Sequence, residues 1–195
     1  MIRSKTDLQY YIQQDRKNNG RSAKRGIGEA IKDFFYPNSI AFLYYLRHVE
    51  YYRNVPTACG KFLLYYYSFK FRNAGCQLGY SIGINACGPG LSLPHYGTII
   101  ISAEARLGAN CRVHACVNIG ASAGKDEAPQ IGDNVYIGPS CVLFGDIKIG
   151  SNNTIGANAT VNKSFEQEHV IIAGTPAQIL KTDYPNWLEF NNKKK

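Results

Sequence analysis

Stepping by six from Ile101 gives Ile101, Leu107, Val113, Ile119, Lys125, Ile131, Ile137, Leu143, Ile149, Ile155 and Val161. Ten of these eleven are Ile, Leu or Val, types that fill about a fifth of the 195-residue chain. Glycine follows the stepped residue at 108, 120, 132, 138, 150 and 156, and Asn110, Asn134, Asn152 and Asn158 share another phase. Both types tolerate the backbone angles that tight corners demand. A period of six is neither helix nor hairpin. It fits short strands joined by regular corners, three to a coil of about 18 residues, with coils stacked at about 4.8 Å. Cys87, Cys111 and Cys141 share a phase with Ala105, Val117, Val135, Ile147 and Ala159, so these thiols read as core side chains in a second inward column. The stretch "ASAGKDEAPQ", 121–130, interrupts the repeat before the phase resumes at Ile131. It reads as one polar loop extruded from a coil, a common place for function on a rigid scaffold.

The front of the chain has another grammar. Residues 1–72 hold 13 Lys/Arg against 5 Asp/Glu and 16 of the 24 aromatics, whereas the remainder balances at 9 against 9. Ser4 is placed to cap a helix over "KTDLQYYIQQDRKNN" that ends at Gly20. Pro37-Asn38-Ser39 leads into "IAFLYYLRHVEYYRN", and "GKFLLYYYSFKFRN" follows Cys59. Apolar residues at 42, 43, 46 and 49 fit helical spacing. The expected division is a helical region at 1–74, the repeat domain at 75–181 and a tail at 182–195. The basic, aromatic face suits packing on the repeat domain, with a surface for anionic lipid as the second reading. No nucleic-acid motif is present. No transmembrane or signal segment is expected, so a cytoplasmic protein with reduced cysteines follows.

One histidine stands apart. In "LPHYGTIII", 93–101, His95 lies a step before Ile101 on the inward phase, but Pro94 and Gly97 should bend the coil there. An ionisable ring in such a place is a packing residue, a metal ligand or a proton carrier. His114 falls on a glycine-rich phase and should point outward, while His48 and His169 read as surface or packing residues. A zinc site needs three or four ligands, and only His95 and His114 lie in the repeat; Cys59, Cys76 and Cys116 lack metal-ligand spacing. No metal is expected. A non-enzymatic solenoid used as a binding scaffold remains the alternative of another class.

The runs "PHYGTIIISAEARLGANCRVHACVNIGASAG", "PQIGDNVYIGPSCVLFGDIKIGSNNTIGANATV" and "IAGTPAQILK" resemble the hexapeptide-repeat acyltransferases, and within them the serine acetyltransferase branch, over residues 78–181. The opening "SKTDLQYYIQQDR" is similar to relatives associated with surface-polysaccharide synthesis. The resemblance implies an α+β chain, an N-terminal helical region followed by a left-handed parallel β-helix with one extruded loop, assembled as a homotrimer. It implies acetyl-CoA as cosubstrate and His95 as the general base that takes a proton from an acceptor hydroxyl. By position it assigns CoA contacts to Gly120, Ala121, Ser122, Pro139 and Ala157, with Lys163 or Lys181 near the phosphates in place of Gln178.

The departures bear on the acceptor. Pro94 stands where the branch has an aspartate before the histidine, Tyr80 where a second aspartate orients the ring, and Glu127-Ala128 where an Arg-His pair precedes Pro129. The groups that grip a zwitterionic amino acid are mostly missing. The expected acceptor is therefore a sugar hydroxyl of a surface-polysaccharide precursor, held by Tyr80, Tyr96, His114 and Asn118, with serine as the alternative. The basic front part would then have a reason to touch a membrane surface.

Overall fold

The computed structural model describes residues 1–192. Four helices come first: α1 (Lys5–Asn18), α2 (Ile27–Phe35), α3 (Ser39–Asn54) and α4 (Gly60–Leu78). Ser4 caps α1 by accepting from Asp7 N–H at 3.0 Å, and Asn38 caps α3 by accepting from the amides of Ile40 and Ala41. Phe42, Leu43, Leu46 and Val49 are buried, so the spacing in "IAFLYYLRHVEYYRN" marks the inner face of α3. The sequence reading missed α2, whose segment "GIGEAIKDFF" carries two glycines. The expected division at residue 74 falls inside α4.

Thirteen short strands follow, and all pair in parallel until the last. They form three faces. Face 1 stacks β1 (Tyr80–Ile82), β2 (Ile99–Ile101), β5 (Val117–Gly120), β8 (Val142–Phe144) and β11 (Thr160–Val161). Face 2 stacks β3 (Arg106–Leu107), β6 (Gln130–Ile131) and β9 (Lys148–Ile149). Face 3 stacks β4 (Arg112–Val113), β7 (Tyr136–Ile137), β10 (Thr154–Ile155), β12 (Ile171–Gly174) and the antiparallel β13 (Ala177–Lys181). A short α5 (Trp187–Asn192) closes the described chain.

Partners on successive coils lie 18 residues apart, as in Ile99↔Val117 and Tyr136↔Thr154, so one coil is three hexapeptides. Across the interrupted coil the offset is 24, as in Asn118↔Val142, so the loop adds six residues to one turn. Lys125, the polar exception in the column of eleven, is exposed on that loop; the other ten are buried. Burial also covers Cys87, Cys111 and Cys141 and pushes their thiols up, to about 12 for Cys111, which keeps them protonated.

Three of the four phased asparagines form a hydrogen-bonded ladder. Asn110, Asn134 and Asn152 all have φ near +60°, and the side-chain amides of Asn110 and Asn134 each donate to the next asparagine's oxygen, at 3.0 and 2.9 Å. Asn18 of α1 donates into the ladder at Asn110, and Asn186 donates to Asn152. Asn153, next to the ladder, is fully buried but satisfied, holding Gly150, Gln167 and Val170 backbone groups.

The helices join the β-helix around one buried cation. Arg47 of α3, with no exposed surface, pairs with Asp15 of α1 at 2.8 Å and Glu50 at 2.9 Å, and donates to the carbonyls of Cys87 and Gly88. Asp15 in turn accepts from the amides of Gly90 and Leu91, and Glu50 from that of Asn85. One continuous apolar core runs from α3 and α4 into the coils.

Candidate active site

His95 occupies the turn from face 3 to face 1 in the first coil. Ser92 bridges to Arg112, and Ile99 pairs with Val117, so the chain spends six residues on this corner and four on the matching corner one coil later. The two extra residues shift the phase. Leu93 is buried in place of His95, and His95 is exposed, which corrects the inward phase expected for it. The turn is held from three sides. Leu93 N–H donates to Asn19 Oδ1 at 3.0 Å, and Gly97 N–H donates to the Leu78 carbonyl at 2.9 Å. Tyr80 Oη donates to the His95 carbonyl at 2.7 Å and takes a hydrogen bond from Ser39. Gly79 has φ +79°, and a Cβ there would stand 3.0 Å from the Gly97 backbone, so glycine lets the end of α4 press against the histidine turn.

His114 lies on the same edge one coil on, its ring 5.8 Å from that of His95 and 4.9 Å from Tyr136. It is half-buried, and Arg112 Nε–H donates to its Nε2 at 3.4 Å. Burial, with Arg112 and His95 adding to it, lowers its pKa to about 4, so His114 is neutral near pH 7. Pro139 and Ala157 follow on the next two corners, exposed, beside Ser140 and Asn158 at φ near +60°. His95, His114, Pro139 and Ala157 thus form one column of corners.

The other residues singled out from the sequence scatter. Gly120, Ala121 and Ser122 begin the extruded loop at the opposite edge of face 1, and exposed Lys163 follows β11 on that edge. Lys181 ends β13 on face 3, over the Tyr184 ring. Asn118 is exposed on face 1, in register with Ile100 and Val142. Tyr80 is not an acceptor wall: it is 6% exposed, packs edge-on against Phe42, and supports the His95 backbone instead. Tyr80, Tyr96, His114 and Asn118 therefore do not share one pocket. Ala128 belongs to the core at 3% exposure, so its lack of charge says nothing about an acceptor, and Glu127 is exposed on the loop.

Two adjoining cavities, sharing Arg112 and Trp187, were not foreseen. A cleft of about 1040 Å³ opens between the end of α1, the start of α3 and face 3, with Leu93, Pro94 and Tyr96 in its wall. A second cavity of about 390 Å³ lies between His114, Tyr136, Tyr184 and Phe190. Trp187, the one tryptophan of the chain, lies beyond the repeat, and nothing in the sequence pattern placed it here. Among the described residues, no three His, Cys, Asp or Glu side chains gather into a metal-binding group.

The stacked corners and the histidine edge define a hexapeptide-repeat left-handed β-helix protein with a helical front. The bacterial transferase hexapeptide family (six repeats) matches residues 128–163. Within that class the chain is similar to serine acetyltransferases. It is 32% identical over 96 residues to the serine acetyltransferase of Mycobacterium tuberculosis (strain ATCC 25618 / H37Rv), covering 48% of this chain and 42% of that protein. It is 34% identical over 99 residues to that of Staphylococcus aureus (strain Mu50 / ATCC 700699), covering 49% and 46%. The chain thus spans less than half the length of these curated relatives. The solved serine acetyltransferase of Neisseria gonorrhoeae superposes with a TM-score of 0.69 at 25% identity, over 93% of this chain and 68% of that one.

Proposed function

We propose that this chain is an acetyl-CoA-dependent O-acetyltransferase with His95 as general base. The observation that carries the reading is the corner column, where an exposed His95 stands beside a neutral His114 and above the small corners of Pro139 and Ala157. A free hydroxyl barely ionises near neutral pH, so a positioned imidazole takes its proton as the oxygen attacks the thioester carbonyl. Backbone amides stabilise the tetrahedral oxyanion. Its collapse expels the CoA thiolate, which recovers the proton from the imidazolium. Each proton is returned, and no acyl-cysteine forms. Pro139 and Ala157 offer a flat track for the pantetheine arm, with Gly120, Ala121 and Ser122 as the rival track across face 1 and Lys163 or Lys181 near the phosphates. A homotrimer would cover the outward Ile100, Asn118 and Val142 of face 1, of which Ile100 and Val142 are 39% and 38% exposed.

The relatives' named activity supports L-serine as acceptor better than the polysaccharide sugar expected from the sequence, and the buried Ala128 removes part of the case for the sugar. A cytoplasmic setting accords with this reading. Membrane attachment draws no support from the relatives, and among the described residues no helix is long and apolar enough to cross a membrane.

Thiol release from acetyl-CoA with L-serine, run beside neutral sugars, tests the assignment. His95→Ala should lower turnover by about 10²–10⁴ and leave CoA affinity nearly unchanged. Near-normal turnover in that variant removes the base, and a sugar with higher kcat/KM than serine restores the expected acceptor.

A further inference from the structure

The cleft beside the histidine turn has an uneven charge. Lys17, Arg21 and Arg112 line it, and no Asp or Glu does. Among the described residues, none of the three forms an ion pair with a carboxylate. The acids nearest in sequence on α1 and α2 are already committed: Asp15 to Arg47, Glu29 to Arg16 and Asp33 to Arg25. Three cations converging on one concave surface raise its potential, and a desolvated anion there gains more than it would on a flat surface.

The cationic wall is also held in place. Arg112 lies over the Trp187 ring at 5.3 Å, and its Nε–H is spent on His114, which leaves its outer guanidinium nitrogens without a protein hydrogen bond among the described residues. Trp187 is fixed by its own N–H to the Asn110 carbonyl at 3.0 Å. Asn18 and Asn19 pin the end of α1 to the Gly90 and Leu91 carbonyls, which fixes where Lys17 and Arg21 start. A guanidinium presented this way suits the paired oxygens of a phosphate or carboxylate.

We infer that this cleft is an anion-recognition subsite: it binds a molecule carrying a phosphate or carboxylate through Arg112, Lys17 and Arg21, with Trp187 beside it. The inference rests on the acetyl-transfer reading for the claim that the bound molecule is the acceptor, since Pro94 and Tyr96 of the histidine turn share the cleft. Its volume of about 1040 Å³ is large for an amino acid and suits a phosphorylated sugar, while the carboxylate of serine meets the same charge rule.

Binding is measured without acetyl-CoA, by calorimetry and by the emission of Trp187, the single tryptophan. Glucose 1-phosphate is compared with methyl glucoside, and L-serine with L-serinamide, so the two sources of negative charge are read separately. In at least one pair the anionic member should bind about 10-fold tighter, with a gap that narrows as salt rises. Arg112→Gln should erase that gap. The Lys17→Gln, Arg21→Gln double variant, changed only at exposed positions, should reduce it about 10-fold and stands as the test if Arg112→Gln fails to fold. Equal binding within both pairs, or an unchanged gap in the folded variants, overturns the inference. Anion binding without acetyl transfer to any bound molecule would remove the transferase reading and leave the subsite standing.

Discussion

The β-helix and the helical front solve burial in different ways. In the coils each inward position recurs every six residues, so Ile137 between Val113 and Ile155 is one contact among many of its kind. The front is attached through groups that occur once: Arg47 with two carboxylates and two coil carbonyls. Repetition spreads the cost of a lost side chain over neighbours. A single ionic knot concentrates it.

The largest stability effect should therefore fall on the knot. Arg47→Leu leaves Asp15 and Glu50 buried beside each other without their cation, a loss of about 3–5 kcal/mol. Burial already raises the Asp15 pKa despite Arg47, which shows how much the carboxylate depends on it. Chemical denaturation of this variant should show the helices leaving before the coils. A cost under about 1 kcal/mol, or a single unchanged transition, would mean that apolar contacts alone carry the junction.

A smaller effect, also confined to the front, comes from pH. His48 stacks on Tyr67 at 4.3 Å, and its Nδ1 meets the Tyr44 carbonyl at 2.8 Å. Burial lowers its pKa to about 4. Because the folded value is depressed, the unfolded chain takes up the proton first as pH falls below the ordinary value of about 6.5. Stability present at pH 7 is thus lost between about pH 6.5 and pH 4, by up to about 3 kcal/mol for this group. His48→Phe keeps the stacking and should flatten that part of the stability profile; an unchanged slope would assign it elsewhere.

The smallest effect should come from the loop. Removing the six residues Ser122 to Glu127 restores the 18-residue spacing seen in the neighbouring coils. The melting temperature should move by only a few degrees, because a loop of this length adds little closure entropy. A large loss would make the loop part of the scaffold.

What the sequence disclosed follows the same division. Period six exposed the coils, both inward columns and the extruded loop, because each rule is written many times over. Asn38 and Ser4 were legible as caps because capping is local chemistry. Arg47, Asp15 and Glu50 were not, since nothing in a run of basic and acidic residues says which will be buried. The phase of His95 was misread because two extra residues in one corner break a count that holds elsewhere. The cleft joins α1, the first coils and α5, segments up to about 170 residues apart in the chain, and such a meeting has no local signature.

The asparagine ladder bears on how this chain can change over time. Solenoids ordinarily lengthen or shorten by whole repeats, because each repeat touches only its neighbours. Here the start of α5 grips the stack at two heights, Asn186 on Asn152 and Trp187 on Asn110. An added coil between those rungs would part the two anchors by about 4.8 Å, and one would have to let go. The C-terminal segment thus acts as a gauge on the number of turns, and a lineage that gained a coil there would have to rebuild the wall of the cleft with it.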